Sequence, residues 1–275
     1  MWSKRELLIE EIILSLFLRI FITAFIVVLA TFVAERVNPF YASLIGAFPT
    51  SAGPAYVMLA LKENATFVSE SAISSMAAMA AVAPFMTAII FLASRTNIFY
   101  TIISALFVWF IFAIAISQLV WSPLSAFFLN FFSFLICFLL TQKIHINTVV
   151  RNDKIVSWSE LILRALIVGS FVATLVTISN LLGPIGVGIG AVFPIVFLSL
   201  VVVLYLRQGG DLVAATMYNA LRTVSGMALV FLVLSYSVKW WGSTAGLSVA
   251  LFMSIVWVLM MIAYYKWSSR LTKNI

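Results

Sequence analysis

The chain has 275 residues, of which 64% are hydrophobic and 9% are charged. Because a soluble globular domain carries about 25% charged residues, this composition excludes a soluble protein and predicts an integral membrane protein. The net charge is +7, but the lysines and arginines are scattered rather than clustered, so we expect membrane lipids as partners and no nucleic acid.

Apolar runs of about 20–27 residues predict an all-α, polytopic membrane helical bundle of about nine transmembrane helices. The predicted spans are 12–34, 39–61, 66–94, 98–117, 123–142, 158–181, 184–206, 211–236 and 243–265. Pro123 divides the long run 98–142, because proline does not continue a helix interior. The N-terminal run is expected to remain uncleaved, since no small-residue cleavage site ends it. The chain has a single cysteine, Cys137, so we expect no intrachain disulfide.

The distribution of basic residues predicts the orientation. With the N-terminus outside, nine lysines and arginines near span ends lie on the inner side and four on the outer side. The sequence therefore predicts a multi-pass protein of the cell (inner) membrane with its C-terminus in the cytoplasm. A count that is off by one helix would reverse the position of one terminus.

An internal repeat appears when the chain is shifted by 145 residues, which places residue 19 on residue 164. The shift superposes Arg19 on Arg164, Pro39 on Pro184, Phe48-Pro49 on Phe193-Pro194 and Lys62 on Arg207. Biased composition is the alternative, but arginine and proline are scarce in these spans. The interpretation divides the chain into a four-helix repeat (1–118), a linker helix with a polar connection (119–157) and a second four-helix repeat (158–275). Since five spans, an odd number, separate equivalent positions, the repeats are predicted to be inverted.

Glycine and proline interrupt the second span of each repeat, in "ASLIGAFPTSAG" at 42–53 and "GVGIGAVFPIVF" at 186–197. Backbone groups freed inside a bilayer must face protein or a water-filled cavity. Paired interruptions in two inverted halves therefore indicate the binding site of a transporter, whereas close helix packing is the alternative. The candidate substrate-binding residues of these segments are Gly46, Phe48, Pro49, Gly190, Phe193 and Pro194.

Ionisable residues within spans are further candidates, because each costs about 2.5–3.5 kcal/mol at a helix centre. Arg222 near the middle of span eight is the strongest, and Asn219 shares its helix face. We expect both to face a midplane cavity between the two interruptions. Arg19 and Arg164 either bind an anion or extend to the headgroups. Glu70 is a proton site, a partner of Arg222 or an interfacial carboxylate.

These residues favour a secondary transporter of a small organic anion or amphipathic solute, because guanidinium binds carboxylate and phosphate bidentately. The alternatives are a membrane interaction or assembly subunit and a lipid-carrier flippase. An enzyme is not expected, since His145 is the only histidine and no metal-ligand cluster, nucleophile motif or nucleotide-binding loop is present. No metal or cofactor is expected, and a homo-oligomer stays open.

Three segments resemble known bacterial inner-membrane families. "LFLRIFITAFIVVLATF" at 16–32 followed by "NPFYASLIGAFPT" at 38–50 is similar to the small GlpM-type proteins. These segments, with "ALRTVSGMA" at 220–228, also look more loosely like the membrane half of aromatic-acid-exporter (FUSC-type) proteins. The resemblance covers 12–118 and, more faintly, 158–265. It implies a duplicated bacterial inner-membrane protein that exports organic acids, although the cytosolic region of FUSC-type exporters has no counterpart here.

Overall fold

The computed structural model describes residues 52–142 and 158–273, together with Phe21 and Phe25. All regular structure among these residues is α-helical, which confirms the predicted helical class. The helices are α1 (Ala52–Lys62), α2 (Ala65–Met79), α3 (Val82–Leu92), α4 (Ile98–Ser117), α5 (Pro123–Thr141), α6 (Trp158–Thr177), α7 (Ser179–Ala191), α8 (Ile195–Gln208), α9 (Gly210–Val224) and α10 (Met227–Lys273).

The predicted count of nine helices is wrong for the part of the chain that the structure describes, which forms seven continuous helical segments. The first predicted span lies almost wholly outside the described residues. Spans eight and nine follow each other without an intervening loop and so count as one segment, although the backbone leaves the helical conformation at Gly242. The chain folds back at this glycine, because Ser237 bonds the carbonyl of Gly246 and the ring of Trp257 packs on Gly226.

Five segments are long and apolar enough to cross a membrane, which supports a membrane-embedded bundle. They are 65–92, 98–117, 123–141, 179–206 and 210–264. In the most apolar stretch of 65–92, 78% of the residues are buried, against 33% or fewer in the other four, so α2 and α3 form the centre of the bundle. Alanine and serine dominate α2, and such small residues let α7 and α10 pack closely against it.

Asparagine begins two helices of the first half, where its side chain accepts a hydrogen bond from a first-turn N–H. These N-caps are Asn64 of α2, at 2.9 Å, and Asn97 of α4, at 3.0 Å. The 145-residue shift places Gly209 and Gly242 at the equivalent positions, with φ of 81° and 78°. Only glycine adopts this backbone conformation without strain. The equivalent helix junctions are therefore formed by asparagine N-caps in the first half and by glycines with positive φ in the second.

Helix bounds recur at the same shift. Helices α2 and α9 both contain 15 residues, at 65–79 and 210–224. Helix α3 begins at Val82 and α10 at Met227, and two turn residues precede each of them. Each half therefore contains a long helix that is interrupted after its fifteenth residue.

Candidate functional site

The central helix is kinked between α2 and α3. Pro84 has no N–H, so the carbonyl of Ala80 lacks its helical donor. The N–H of Ala80 bonds the carbonyl of Ala77 at 3.0 Å instead of that of Met76. The kink therefore frees two carbonyl groups, those of Met76 and Ala80, inside the bundle.

Helix α5 supplies the missing donors. The hydroxyl of Ser133 donates to the carbonyl oxygen of Ala80 at 2.6 Å, and Asn130 Nδ2 donates to that of Met76 at 3.3 Å. Asn130 is 1% exposed, and its Oδ1 has no hydrogen-bond partner among the described residues. The predicted linker helix is thus bound by polar contacts to the kink in the centre of the bundle.

A second kink lies between α9 and α10, at Ser225 and Gly226, and different residues complete it. The indole Nε1 of Trp257 donates to the carbonyl oxygen of Thr223 at 2.8 Å, and the Ser225 hydroxyl donates to that of Arg222 at 2.8 Å. The ring of Trp257 packs directly on Gly226 and leaves no room for a side chain there. The 145-residue shift maps this kink onto Ala80 and Ala81.

The two kinked segments pack antiparallel to each other. The hydroxyl of Ser69, near the start of α2, donates to the carbonyl oxygen of Ser235 in α10 at 2.6 Å. Gly210, the first residue of α9, lies against the backbone of Ala93 at the end of α3. Ser69 is about 17 Å and Ser235 about 14 Å of helix from the kink in its own segment, so the two kinks lie at about the same level.

Arg222 lies one turn before the second kink, about 18 Å of helix from Gly210. Its side chain is exposed, and its guanidinium carbon is 4.4 Å from the ring centroid of Tyr218 and 5.1 Å from that of Phe138 on α5. One Nη atom donates to the Tyr218 hydroxyl. Such cation–π contacts stabilise the charge by about 0.5–2 kcal/mol and leave other N–H groups free to bind an anion.

Asn219 and Glu70, the other polar candidates, differ in their exposure. Asn219 is half-buried on the same face of α9 as Arg222, and Glu70 is exposed on α2. Among the described residues, the contacts of Arg222 go to Tyr218 and Phe138, not to Glu70. Of the three interpretations of Glu70, the pairing with Arg222 is therefore not observed, and the proton site and the interfacial carboxylate stay open.

The predicted break at Phe193-Pro194 is confirmed, because α7 ends at Ala191 and α8 begins at Ile195 with Pro194 as its N-cap. An aromatic cluster surrounds it: the ring centroid of Phe193 is 5.0 Å from that of Trp109 and 5.4 Å from that of Phe171. Arg222 contacts none of these rings. The predicted midplane cavity between the two interruptions and Arg222 stays a prediction, because Phe48 and Pro49 lie outside the described residues.

Glycines of the same segment serve helix packing. Gly188 lies against Ser71 and Ser75 of α2, and its carbonyl accepts a 2.7 Å hydrogen bond from the Ser75 hydroxyl. Gly190 lies against the side chain of Leu175 on α6. These contacts favour the packing alternative for Gly190, whose role in substrate binding stays a prediction.

Lys62, the last residue of α1, contacts the second half of the chain. Its Nζ donates to the carbonyl oxygens of Val176 and Thr177, at 3.0 and 3.1 Å, and to the Ser179 hydroxyl at 2.8 Å. Glu63 accepts a 2.6 Å hydrogen bond from Ser179. The lysine therefore caps the C-terminus of α6, where free carbonyls favour a cation.

Several candidate residues, or their side chains, lie outside the part of the chain that the structure describes. Arg19, Gly46, Phe48 and Pro49 lie outside the described residues, and Arg164 belongs to α6 but its side chain is not described. Within the described ranges, no group of three or more His, Cys, Asp or Glu residues is arranged to hold a metal ion. Cys137 is buried on α5.

Sequence reasoning missed the paired kinks in the third and eighth predicted spans. Pro84 was a usable signal for the first, because it stands four residues after Ala80. Gly226 beside Ser225 was a weaker signal for the second. Nothing local marked Ser133, Asn130 or Trp257, since their partners lie on other helices.

Comparisons with protein-family models, with curated proteins and with solved structures find no match to this chain. The resemblance to the GlpM-type and FUSC-type families stays a prediction. The case for a function therefore rests on the kinked helices and on Arg222.

Proposed function

We propose that the chain is a secondary-type membrane transporter of a small organic anion, built from two inverted repeats joined by α5. The observation that carries the proposal is the antiparallel packing of the two kinked segments, 65–92 and 210–241, whose first helices and kinks correspond at one shift. Inverted repeats with interrupted helices in matching positions are typical of secondary transporters.

The inversion follows from direction and equivalence together. The segments that contain α2 and α9 run antiparallel. If α2 and α9 are equivalent helices, the rotation that superposes α2 on α9 therefore reverses the direction of α2. For helices that cross a membrane, the axis of such a rotation lies in the membrane plane. The α5 helix supplies the additional crossing that an inverted arrangement requires.

The kinks suit alternating access. At both kinks, side chains distant in sequence replace backbone hydrogen bonds: Ser133 and Asn130 at the first, Trp257 at the second. Such bonds can be exchanged without unfolding a helix, so the halves of each segment can change their angle. Inward-open and outward-open states of a transporter differ by such movements of helices around a fixed site.

Arg222 is the proposed anion contact, with Asn219 beside it as a neutral hydrogen-bond partner. Its guanidinium keeps its charge at mid-depth, and the two flanking rings hold its plane in place. Arg19, Arg164 and Glu70 remain further candidates for attracting the anion or carrying a coupled proton. We place the protein in a bacterial inner membrane with the N-terminus outside, as the basic residues and the resemblance suggest.

Transport in proteoliposomes tests the proposal. Purified protein is reconstituted, and uptake is measured for a panel of radiolabelled mono-, di- and tricarboxylates and organic phosphates, with and without a proton gradient. We expect uptake of at least one anion, its loss in Arg222→Leu and strong reduction in Arg222→Lys, which lacks the planar fork. Arg95→Leu is the matched control, because Arg95 is exposed at a helix end. If the wild-type protein transports no anion, the assembly subunit becomes the better interpretation, and normal transport by Arg222→Leu removes Arg222 from the site.

A further inference from the structure

Helix α9 has a polar face and an apolar face that differ sharply in burial. Arg222 and four polar residues within about 60° of it around the helix are exposed or half-buried: Asp211, Tyr218, Asn219 and Ser225. The opposite face is fully buried and apolar: Val213, Met217, Ala220, Leu221 and Val224. Within this face, Ala214 and Ala215 are buried between Asp211 and Tyr218, so its continuous polar part extends from Tyr218 to the kink.

We propose that the part of this face with Tyr218, Asn219 and Ser225 lines a water-filled path to Arg222, and that a hydrophilic anion with a carboxylate or phosphate group reaches the guanidinium along it. The inference rests on the proposed function for what happens to the anion after it binds. It names the substrate class more narrowly, as a solute that enters from water rather than an amphiphile that enters from the lipid.

Energetics favour water over lipid next to this face. An arginine that faces hydrocarbon at a helix centre costs about 2.5–3.5 kcal/mol, and Asn219 and Ser225 would add to that cost. Rotation of α9 would not remove it, because Met217, Ala220 and Leu221 hold the opposite face in the core. Water along the polar face satisfies all these groups at once.

The chemistry at the inner end of the path selects the ligand. Phe138 and Tyr218 cover parts of the guanidinium, and the Tyr218 hydroxyl takes one N–H group. The remaining N–H groups match the paired oxygens of a carboxylate or phosphate. A single positive charge between low-dielectric walls concentrates anions in such a path.

Cysteine accessibility tests the path in the membrane, without any need for transport. In a Cys137→Ala background, single cysteines replace Asn219 and Ser225 on the polar face and, as matched controls, Met217 and Ala220 on the buried face. Membranes are treated from either side with a charged, membrane-impermeant thiol reagent or with a lipid-soluble maleimide. We expect the polar-face cysteines to react with the charged reagent from one side only and about ten-fold faster than the controls, because thiolates form in contact with water.

Protection by ligand tests the end of the path. Phosphate and citrate should slow the labelling of Ser225→Cys while Arg222 is present and have no effect after Arg222→Gln. Reaction with the lipid-soluble reagent alone would show that the face contacts hydrocarbon, and no reaction with either reagent would show that protein covers it; each result overturns the path. Labelling as expected without any transport would refute the proposed function and leave the path standing.

Discussion

Ser133 and Pro84 should be energetically coupled through the carbonyl of Ala80. Pro84 removes the helical donor of that carbonyl, and the Ser133 hydroxyl replaces it at 2.6 Å. Interhelical hydrogen bonds of this kind in membrane proteins contribute about 0.6 kcal/mol on average and up to about 1.7 kcal/mol. The short distance and the depth of this bond place its expected contribution in the upper half of that range.

The prediction is a double-mutant cycle. Ser133→Ala alone should lower the free energy of unfolding by about 1–1.7 kcal/mol, because it leaves the buried carbonyl of Ala80 without a donor. In a Pro84→Ala background, where an N–H is again available to Ala80, the same substitution should cost less than about 0.5 kcal/mol.

Unfolding of the detergent-solubilised protein with sodium dodecyl sulfate, followed by circular dichroism, measures the four free energies. Ser248→Ala is the matched control, because the Ser248 hydroxyl bonds the carbonyl of Thr244 in its own helix. Its cost should be the same in both backgrounds. Equal costs of Ser133→Ala with and without Pro84 would refute the account of the kink.

Three further substitutions test other contacts, each by thermal unfolding in detergent. Gly226→Ala should destabilise the protein by about 1–3 kcal/mol, because its methyl group meets the ring of Trp257; a loss that Trp257→Ala does not reduce would contradict the contact. Lys62→Met should destabilise by about 1–2 kcal/mol through the lost cap of α6, and a Lys239→Met control that is equally harmful would argue against a specific role. Asn64→Ala should cost about 1 kcal/mol but Asn64→Gly only a few tenths, whereas equal costs would contradict the N-cap.

Helix ends with local signals could be predicted from the sequence. The predicted span 98–117 coincides with α4 (Ile98–Ser117), because Asn97 caps its start. The predicted span 123–142 agrees with α5 (Pro123–Thr141), where Ser122, Pro123 and Ser125 form a capping box with proline at the first position. In both cases the residues that fix the boundary are adjacent to it in sequence.

Features that depend on contacts between helices were not predictable. Hydrophobic periodicity indicated one helix over 66–94, yet the structure divides it at Ala80 and Ala81, because Pro84 acts one turn upstream of its own position. The predicted end of span eight at 236 was wrong, since the helix continues past Lys239 to Trp241. Such an end is determined by the one residue, Gly242, whose backbone leaves the helical conformation.

The candidate site was predicted only in part, because some of its contacts join helices that are distant in sequence. Arg222 was identifiable as a charge deep inside an apolar span. Its neighbour Phe138 was not, because the contact joins helices that are far apart in sequence and nothing in "FSFLICFLL" marks one phenylalanine among several. The break at Pro194 was recognised from proline itself, whereas its aromatic neighbours Trp109 and Phe171 depend on packing.

The inverted repeat is tested most directly by the membrane sidedness of two equivalent positions, Arg95 and Trp240. Both are exposed, and the 145-residue shift superposes them. Each is replaced singly by cysteine in the Cys137→Ala background and labelled with an impermeant maleimide in intact cells and in inside-out vesicles. The inverted arrangement predicts that the two cysteines react from opposite sides of the membrane, with Trp240→Cys labelled from outside. Labelling of both cysteines from the same side would contradict the inverted repeat and, with it, the transporter proposal.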